Sequence, residues 1–509
     1  MKIVVMKRIS LVALFLFALS LSESGYAQPS IYSRTRTLEK PQGEDVFVRF
    51  FGNNGDMLVY NREKTTNSEV FTCRKSPSHP SANRYVIPSE NNTYGGVIYT
   101  VKDMVIVGNM CFFCGRKTYI TGMEFDMNGN PYPVSDSRGF VGQISLDNIT
   151  DAQGSADHRM TELSNTKEVT RIDAKIDPNA PADTLLALVG ETLNDGSCLV
   201  FSRVGSLQWD YRLVTSSDAT EWFTDVVFTG GNVVAASRFE GEHYLFGLRG
   251  ALLADVANND FTDLQPVYTF NTSNMLDYNL GINTTWHTDD VDIRLSASSG
   301  NMVNVAYESF AGEPAGLQES FTTLFWMQVV VASDIQIIYL QNVRSGTKGP
   351  GALTDMLSMD ELYGVALLHR DMESQPPTSV VQMASWGVMG TLYSYASGAD
   401  YEMTSLDKYD GKLLWAAGHQ PNHQDSVVLF HQNLNYPTSG SCYTRPVYQR
   451  AELYYIEKSV AEQIEVISDP EKADFKSWSK LYAQSTSISP RCLSGGFIVI
   501  DSETEPETE

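Results

Sequence analysis

Seven aspartates recur along this chain in a similar setting, at the head of an apolar run: Asp45, Asp103, Asp173, Asp225, Asp290, Asp355 and Asp407. A ring of carboxylates can bind a hard cation or move protons. The same side chain can instead accept hydrogen bonds from nearby backbone N–H groups and fix local structure. Repetition in every copy suits a scaffold better than a single active site. Asp103, Asp225, Asp355 and Asp407 are therefore expected to be structural strand-start residues.

Three other clusters carry the residue types of a metal or acid–base site. Asp289, Asp290 and Asp292 form the densest group of carboxylates, beside His287. Asp290 and Asp292 fall on one face of an extended strand, and oxygen ligands of this kind suit calcium. No glycine-bearing loop of the EF-hand type accompanies them, and a solvated turn is the competing reading. His419, His423 and Asp425 have the chemistry for zinc, but Pro421 inside the spacing argues for a loop rather than a helix. His369-Arg370-Asp371 ends an apolar run and reads as the polar end of a strand.

Cys111 and Cys114 have the spacing of a redox pair, but they sit in a strand-like segment. Residues three apart on a strand point to opposite faces, whereas the redox motif belongs at a helix start. Buried thiols are the expectation. Cys442 and Cys492 are candidates for a bridge. Nucleophile-elbow, phosphate-loop and H-E-x-x-H patterns are absent from the sequence. Trp222, Trp286, Trp326, Trp386 and Trp415 could line a sugar-binding face, but packing between neighbouring sheets is the better expectation.

The elements that must position these residues are strands. The phrase around each Asp is an apolar strand, a turn rich in Gly, Asn or Asp, and a second strand ending in small residues. It is clearest at 103–115 (DMVIVGNMCFFCG), 225–236 (DVVFTGGNVVAA) and 407–418 (DKYDGKLLWAAG). From Asp45 to Asp407 the six steps average about 60 residues, which suits four-stranded propeller blades with generous loops. The reading is an all-β propeller of mostly four-stranded antiparallel sheets, with seven blades. Six blades, with the first segment shared between the chain ends, is the alternative.

In the best copy the expected strands are 103–107, 110–114, 118–125 and 139–146. The first copy offers 45–51, 57–60, 69–73 and 84–87. The strong strand at 495–501 is expected to pair with N-terminal residues and close the ring. A short helix is expected near 459–465, and long loops near 126–138, 147–170, 250–285, 308–320 and 432–450.

DMVIVGNMCFFCG, behind an export signal and among degenerate copies, resembles a group of uncharacterised secreted β-propeller proteins of Bacteroidales-type bacteria. The resemblance covers most of residues 45–500. It implies the fold and supplies no catalytic motif to map.

Residues 1–27 have a basic start, an apolar core from Ile9 to Leu21 and a small-x-small site at Gly25-Tyr26-Ala27, the pattern of a cleaved signal peptide. A polar lead (28–44), a single propeller domain (45–501) and an acidic tail (502–509) follow. The formal net charge of −24 becomes −26 without residues 1–27. That argues against nucleic acid as a partner, because phosphate binding needs a basic surface. No later segment is apolar enough to span a membrane. The functional expectation is an exported, acidic, non-catalytic module that binds a glycan or protein through loops on one face. The alternatives are a carbohydrate-active hydrolase or lyase, with carboxylates at the channel mouth, and a structural part of a cell-surface assembly.

Overall fold

Apolar β-branched and aromatic runs broken by Gly-Asn turns produce antiparallel hairpins here, because such side chains pack well on a pleated surface. The computed structural model describes most of the chain between Val46 and Ile500. Residues 1–45, 147–157, 249–268, 271–292, 312–320, 434–444, 449–457, 468–479, 486–496 and 501–509, and shorter stretches between strands, lie outside the described residues. Every element among the described residues is a β-strand.

Among the described residues, seven antiparallel sheets of three to five strands follow one another along the chain. Their first strands are Phe47–Phe51, Val97–Val107, Thr166–Ile176, Glu221–Thr229, Ile293–Ala297, Ala352–Ser358 and Glu402–Tyr409. Each first strand contacts the first strand of the next sheet, and the seventh contacts the first. The molecule is a β-propeller, with these strands innermost.

The second sheet shows how the sequence builds one unit. Val97–Val107 pairs with Met110–Phe125, which pairs with Pro131–Ser145 and then His158–Leu163. Gly108 makes the first turn at φ 57°, a left-handed conformation that glycine adopts without a Cβ penalty. Alternate residues feed opposite cores. Cys111 and Phe113 pack with Phe47, Tyr60 and Phe71 of the first sheet. Phe112 and Cys114 pack with Val169, Leu186 and Leu188 of the third. The buried rings of Phe71, Phe113 and Phe140 form a chain with centroid spacings of 4.9 and 6.1 Å. Trp326 is fully buried between the fifth and sixth sheets, against Leu353, Val365 and Leu367.

Several expectations about elements differ from the structure. The strand expected at 118–125 is the continuation of the one at 110–114, a single strand Met110–Phe125. Much of the loops expected near 126–138 and 147–170 is strand. Pro131 and Pro133 pair with Phe125 and Met123 at the far end of a long hairpin, and His158–Leu163 follows. Proline is tolerated at such a strand end, so its presence did not mark a loop. In place of the expected helix, Lys458–Ser459 and Ile464–Ile467 are strands.

The strand Phe497–Ile500 pairs with Val427–Asn433 of the seventh sheet, not with the N-terminal strands. The C-terminal strand that does join the first sheet is Lys480–Ser485, at its outer edge beside Ser81–Ile87. The ring itself closes through its inner strands. Val46 donates its N–H to Thr404 Oγ1 at 2.9 Å, and Thr404 Oγ1 donates back to Val46 O at 2.7 Å.

Candidate functional site at the ring centre

The recurring aspartates do not open their strands. Asp103, Asp225 and Asp355 each sit immediately after a β-bulge inside an inner strand, at the register shifts 101/103, 223/225 and 353/355. A bulge re-aims the side chains that follow it. In the second, third and seventh sheets the second strand places a glycine opposite the bulge, whereas Ser237 and His369 stand there in the fourth and sixth. A Cβ on Gly115 would lie 2.0 Å from Thr100 O, one on Gly190 2.0 Å from Glu168 O, and one on Gly418 2.0 Å from Glu402 O.

Five of these carboxylates make the same pair of hydrogen bonds. Oδ1 accepts the N–H of the following residue, at 2.8 Å for Asp103, Asp173, Asp225 and Asp407 and 2.9 Å for Asp355. Oδ2 accepts an N–H from the neighbouring sheet. Ile172 donates to Asp103 at 3.2 Å, Phe228 to Asp173 at 2.6 Å and Leu295 to Asp225 at 2.7 Å. Leu406 donates to Asp355 at 2.8 Å and Phe50 to Asp407 at 2.6 Å.

The two remaining joints use other chemistry. Between the fifth and sixth sheets, Ser358 donates its N–H to Ser296 Oγ at 2.8 Å and its hydroxyl to Ser296 O at 3.0 Å. Between the first and second, Arg49 donates to Met104 O at 2.9 Å and Asp103 Oδ1 at 3.3 Å. Arg49 also reaches back to Ser405 Oγ and Leu406 O of the seventh sheet, at 2.9 and 3.2 Å. Every joint between consecutive sheets thus has a polar clasp.

Three arginines share the centre with these carboxylates. Arg171 of the third sheet donates to Thr354 O of the sixth at 3.4 Å, so it crosses the ring. Arg294 donates to the same oxygen at 3.1 Å. Burial raises the Asp103 carboxyl above its usual range despite Arg171 and Arg49. It raises Asp173 to about 7, against backbone donation from Phe228 and Ala174. It raises Asp225 to about 6, against Arg171 and Arg294, and Asp407 to about 6, against Arg49. For Arg49 burial works the other way, and Asp103, Asp355 and Asp407 outweigh it to raise its pKa. An acidic group buried in low dielectric keeps its proton longer.

Chemically, the centre is a set of carboxylates whose oxygens each already hold a backbone donor. A general acid or base needs an oxygen facing the reacting proton. Three cysteines have described side chains, and burial disfavours their ionised form. Burial pushes the Cys111 and Cys114 thiols well above their usual range and Cys198 up to about 12, and a thiol is a poor nucleophile until it ionises. All three are free.

Asp103, Asp225, Asp355 and Asp407 come together at the centre, joined by Asp173. Asp45 and Asp290 lie outside the described residues, and Arg49 and Ser296 occupy the joints of their sheets. Asp289, Asp292, His423 and Asp425 also lie outside them, as do Cys442 and Cys492. For His419 the strand position is described, at the end of Leu413–His419, with no account of its side chain. His369 is a buried strand residue at 4 % exposure. Among the described residues no group of three or more His, Cys, Asp or Glu side chains could hold a metal ion, and no helix is long and apolar enough to cross a membrane.

Sequence reasoning missed Arg49, Arg171, Arg294 and Ser296. A signal for two of them was present. Arg171 stands two residues before Asp173, and Arg294 two before Ser296. Residues two apart on a strand share a face.

No family model matches the chain, and neither does any curated protein. Among solved structures, the chain is similar to a Penicillium chrysogenum α-L-arabinanase complexed with arabinobiose. The identity is 10 % and the TM-score 0.34, over 79 % of this chain and 99 % of the arabinanase.

Proposed function

We propose that this chain is an exported, non-catalytic propeller that binds a glycan or protein ligand through loops on one face of the ring. One observation carries the reading. The carboxylates at the centre have both oxygens engaged by backbone N–H groups: Oδ1 by the next residue of its own strand and Oδ2 by the neighbouring sheet, which it holds in place. Function on such a scaffold falls to the loops. Export rests on the pattern of residues 1–27, and the acidic charge disfavours nucleic acid.

A glycan array run beside a panel of glycoside and polysaccharide-lyase substrates tests it. Binding of a glycan with no turnover is the expected result. The competing reading, a carbohydrate-active enzyme, draws on the raised Asp173, Asp225 and Asp407 carboxyls, whose values of about 7, 6 and 6 fall in the range of a general acid. Turnover that disappears on replacing one of these three, with folding intact, would establish that reading and remove ours.

A further inference from the structure

The second strand of the second sheet, Met110–Phe125, runs beyond the start of the inner strand beside it. Val97, the first residue of that inner strand, pairs with Tyr119. Gly122 to Phe125 continue past it, paired with Pro131 to Val134, as a two-stranded arm. A register shift between Ile120 and Gly122 sets which side of the arm is apolar. Below the shift, Phe112 and Cys114 pack toward the third sheet, and Arg116 meets Glu168 of that sheet at 3.4 Å. Alternation carries that side through Thr118 to Ile120. The extra residue, Thr121, reverses the phase, so Met123 and Phe125 fall on the third-sheet side and Glu124 on the other.

Met123 is 52 % exposed and Phe125 69 %. Leu193, also exposed, stands in the turn after Thr184–Thr192, the corresponding strand of the third sheet. Among the described residues four large apolar side chains are exposed, and these are three of them. The fourth, Ile176, ends the inner strand of the third sheet, at the opposite end of the ring.

We propose that this side of the arm, with the Leu193 turn, docks a basic, apolar segment of a partner protein. Such docking rests on the reading of the chain as a ligand-binding module and names its partner. Methionine and aromatic side chains are enriched at protein interfaces, where removing apolar area from water drives association. A sugar needs placed polar groups to fix its orientation, and Met123 and Leu193 supply none. Charge then selects among proteins. Residues 119–136 and 192–196 hold Glu124, Asp126, Asp136 and Asp195 and no Lys or Arg. Cations at the base of the arm are matched by carboxylates: Arg138 by Asp136, and Lys102 and Arg116 by Glu168. The chain as a whole carries a formal charge of −24. A basic segment is drawn to this surface, and a second copy of the chain is repelled by it.

Two synthetic peptides of equal length, one alternating Lys and Leu and one alternating Glu and Leu, provide the test. Each is titrated into the full chain at about 0.15 M salt and read by fluorescence anisotropy. The Lys–Leu peptide should bind about 10-fold or more tightly than the Glu–Leu peptide. Met123→Ser combined with Phe125→Ser, both at exposed positions, should weaken its binding by about 10-fold or more, and Ile176→Ser should leave it unchanged. Equal binding by the arm variant and the wild type would overturn the inference, because the peptide would then be held elsewhere on the acidic surface. Equal binding of the two peptides would overturn the basic character of the partner. A dimer in sedimentation velocity that Phe125→Ser abolishes would overturn it by making the occupant a second copy. Absence of peptide binding in a chain that binds a glycan would overturn this inference alone and leave the wider reading of a binding module standing.

Discussion

Asp173 shows what burial does to a group whose chemistry looks ordinary in the sequence. Its carboxyl is raised from 3.8 to about 7 in the fold, by burial that outweighs two backbone donors. Between these values the folded state holds a proton that the unfolded chain has released. The resulting stability is present in full below about pH 4 and is lost as pH rises through 7. Asp225 and Asp407, each at about 6, act in the same direction. Thermal melts between about pH 5 and 8 should therefore show the midpoint falling as pH rises, with a shallower slope in Asp173→Asn. Parallel curves for the two proteins would argue against this assignment. The residue type was legible: an Asp in an apolar strand implies backbone N–H donors. Its partners were not, because they come from another sheet. Asp407 meets Phe50, 357 residues away in sequence.

At the scale of elements, the glycine opposite the bulge in the second, third and seventh sheets is a packing requirement set by that bulge. Gly115→Ala would drive a Cβ into Thr100 O, a backbone atom with no rotamer to change. Urea unfolding should show a loss of about 3 kcal/mol or more. Gly122, on the same strand with open space around its Cβ, is the control and should tolerate alanine far better. Equal effects at the two positions would rule the explanation out. Strand pairs and turns were legible here because alternation and Gly-Asn turns are local signals, as at 103–115. The long hairpin through Pro131 and the fifth-strand additions were not. A proline-bearing strand end looks like a loop, and an edge strand such as Ile464–Ile467 pairs with residues some 250 positions earlier.

At the scale of the molecule, the recurring Asp, two serines and Arg49 turn seven separate sheets into one closed ring. The carboxylates serve the joints between sheets. The fold was legible from the period of the repeat, but the strand-start place expected for the aspartates was not the one they hold, because a bulge is not a local signal in the sequence. The arginines that balance them emerged only when three sheets met at one centre, where Arg171 and Arg294 converge on Thr354 O. The most direct test is the unfolding midpoint of Asp225→Asn at about pH 8. An amide has one acceptor oxygen for the two N–H groups of Val226 and Leu295, and it removes one of the charges that face Arg171 and Arg294. Loss of a buried acceptor and an ion partner costs about 2 kcal/mol or more. The midpoint should fall by about 4 °C or more. A midpoint equal to that of the wild type would contradict the claim that this carboxylate holds the ring together.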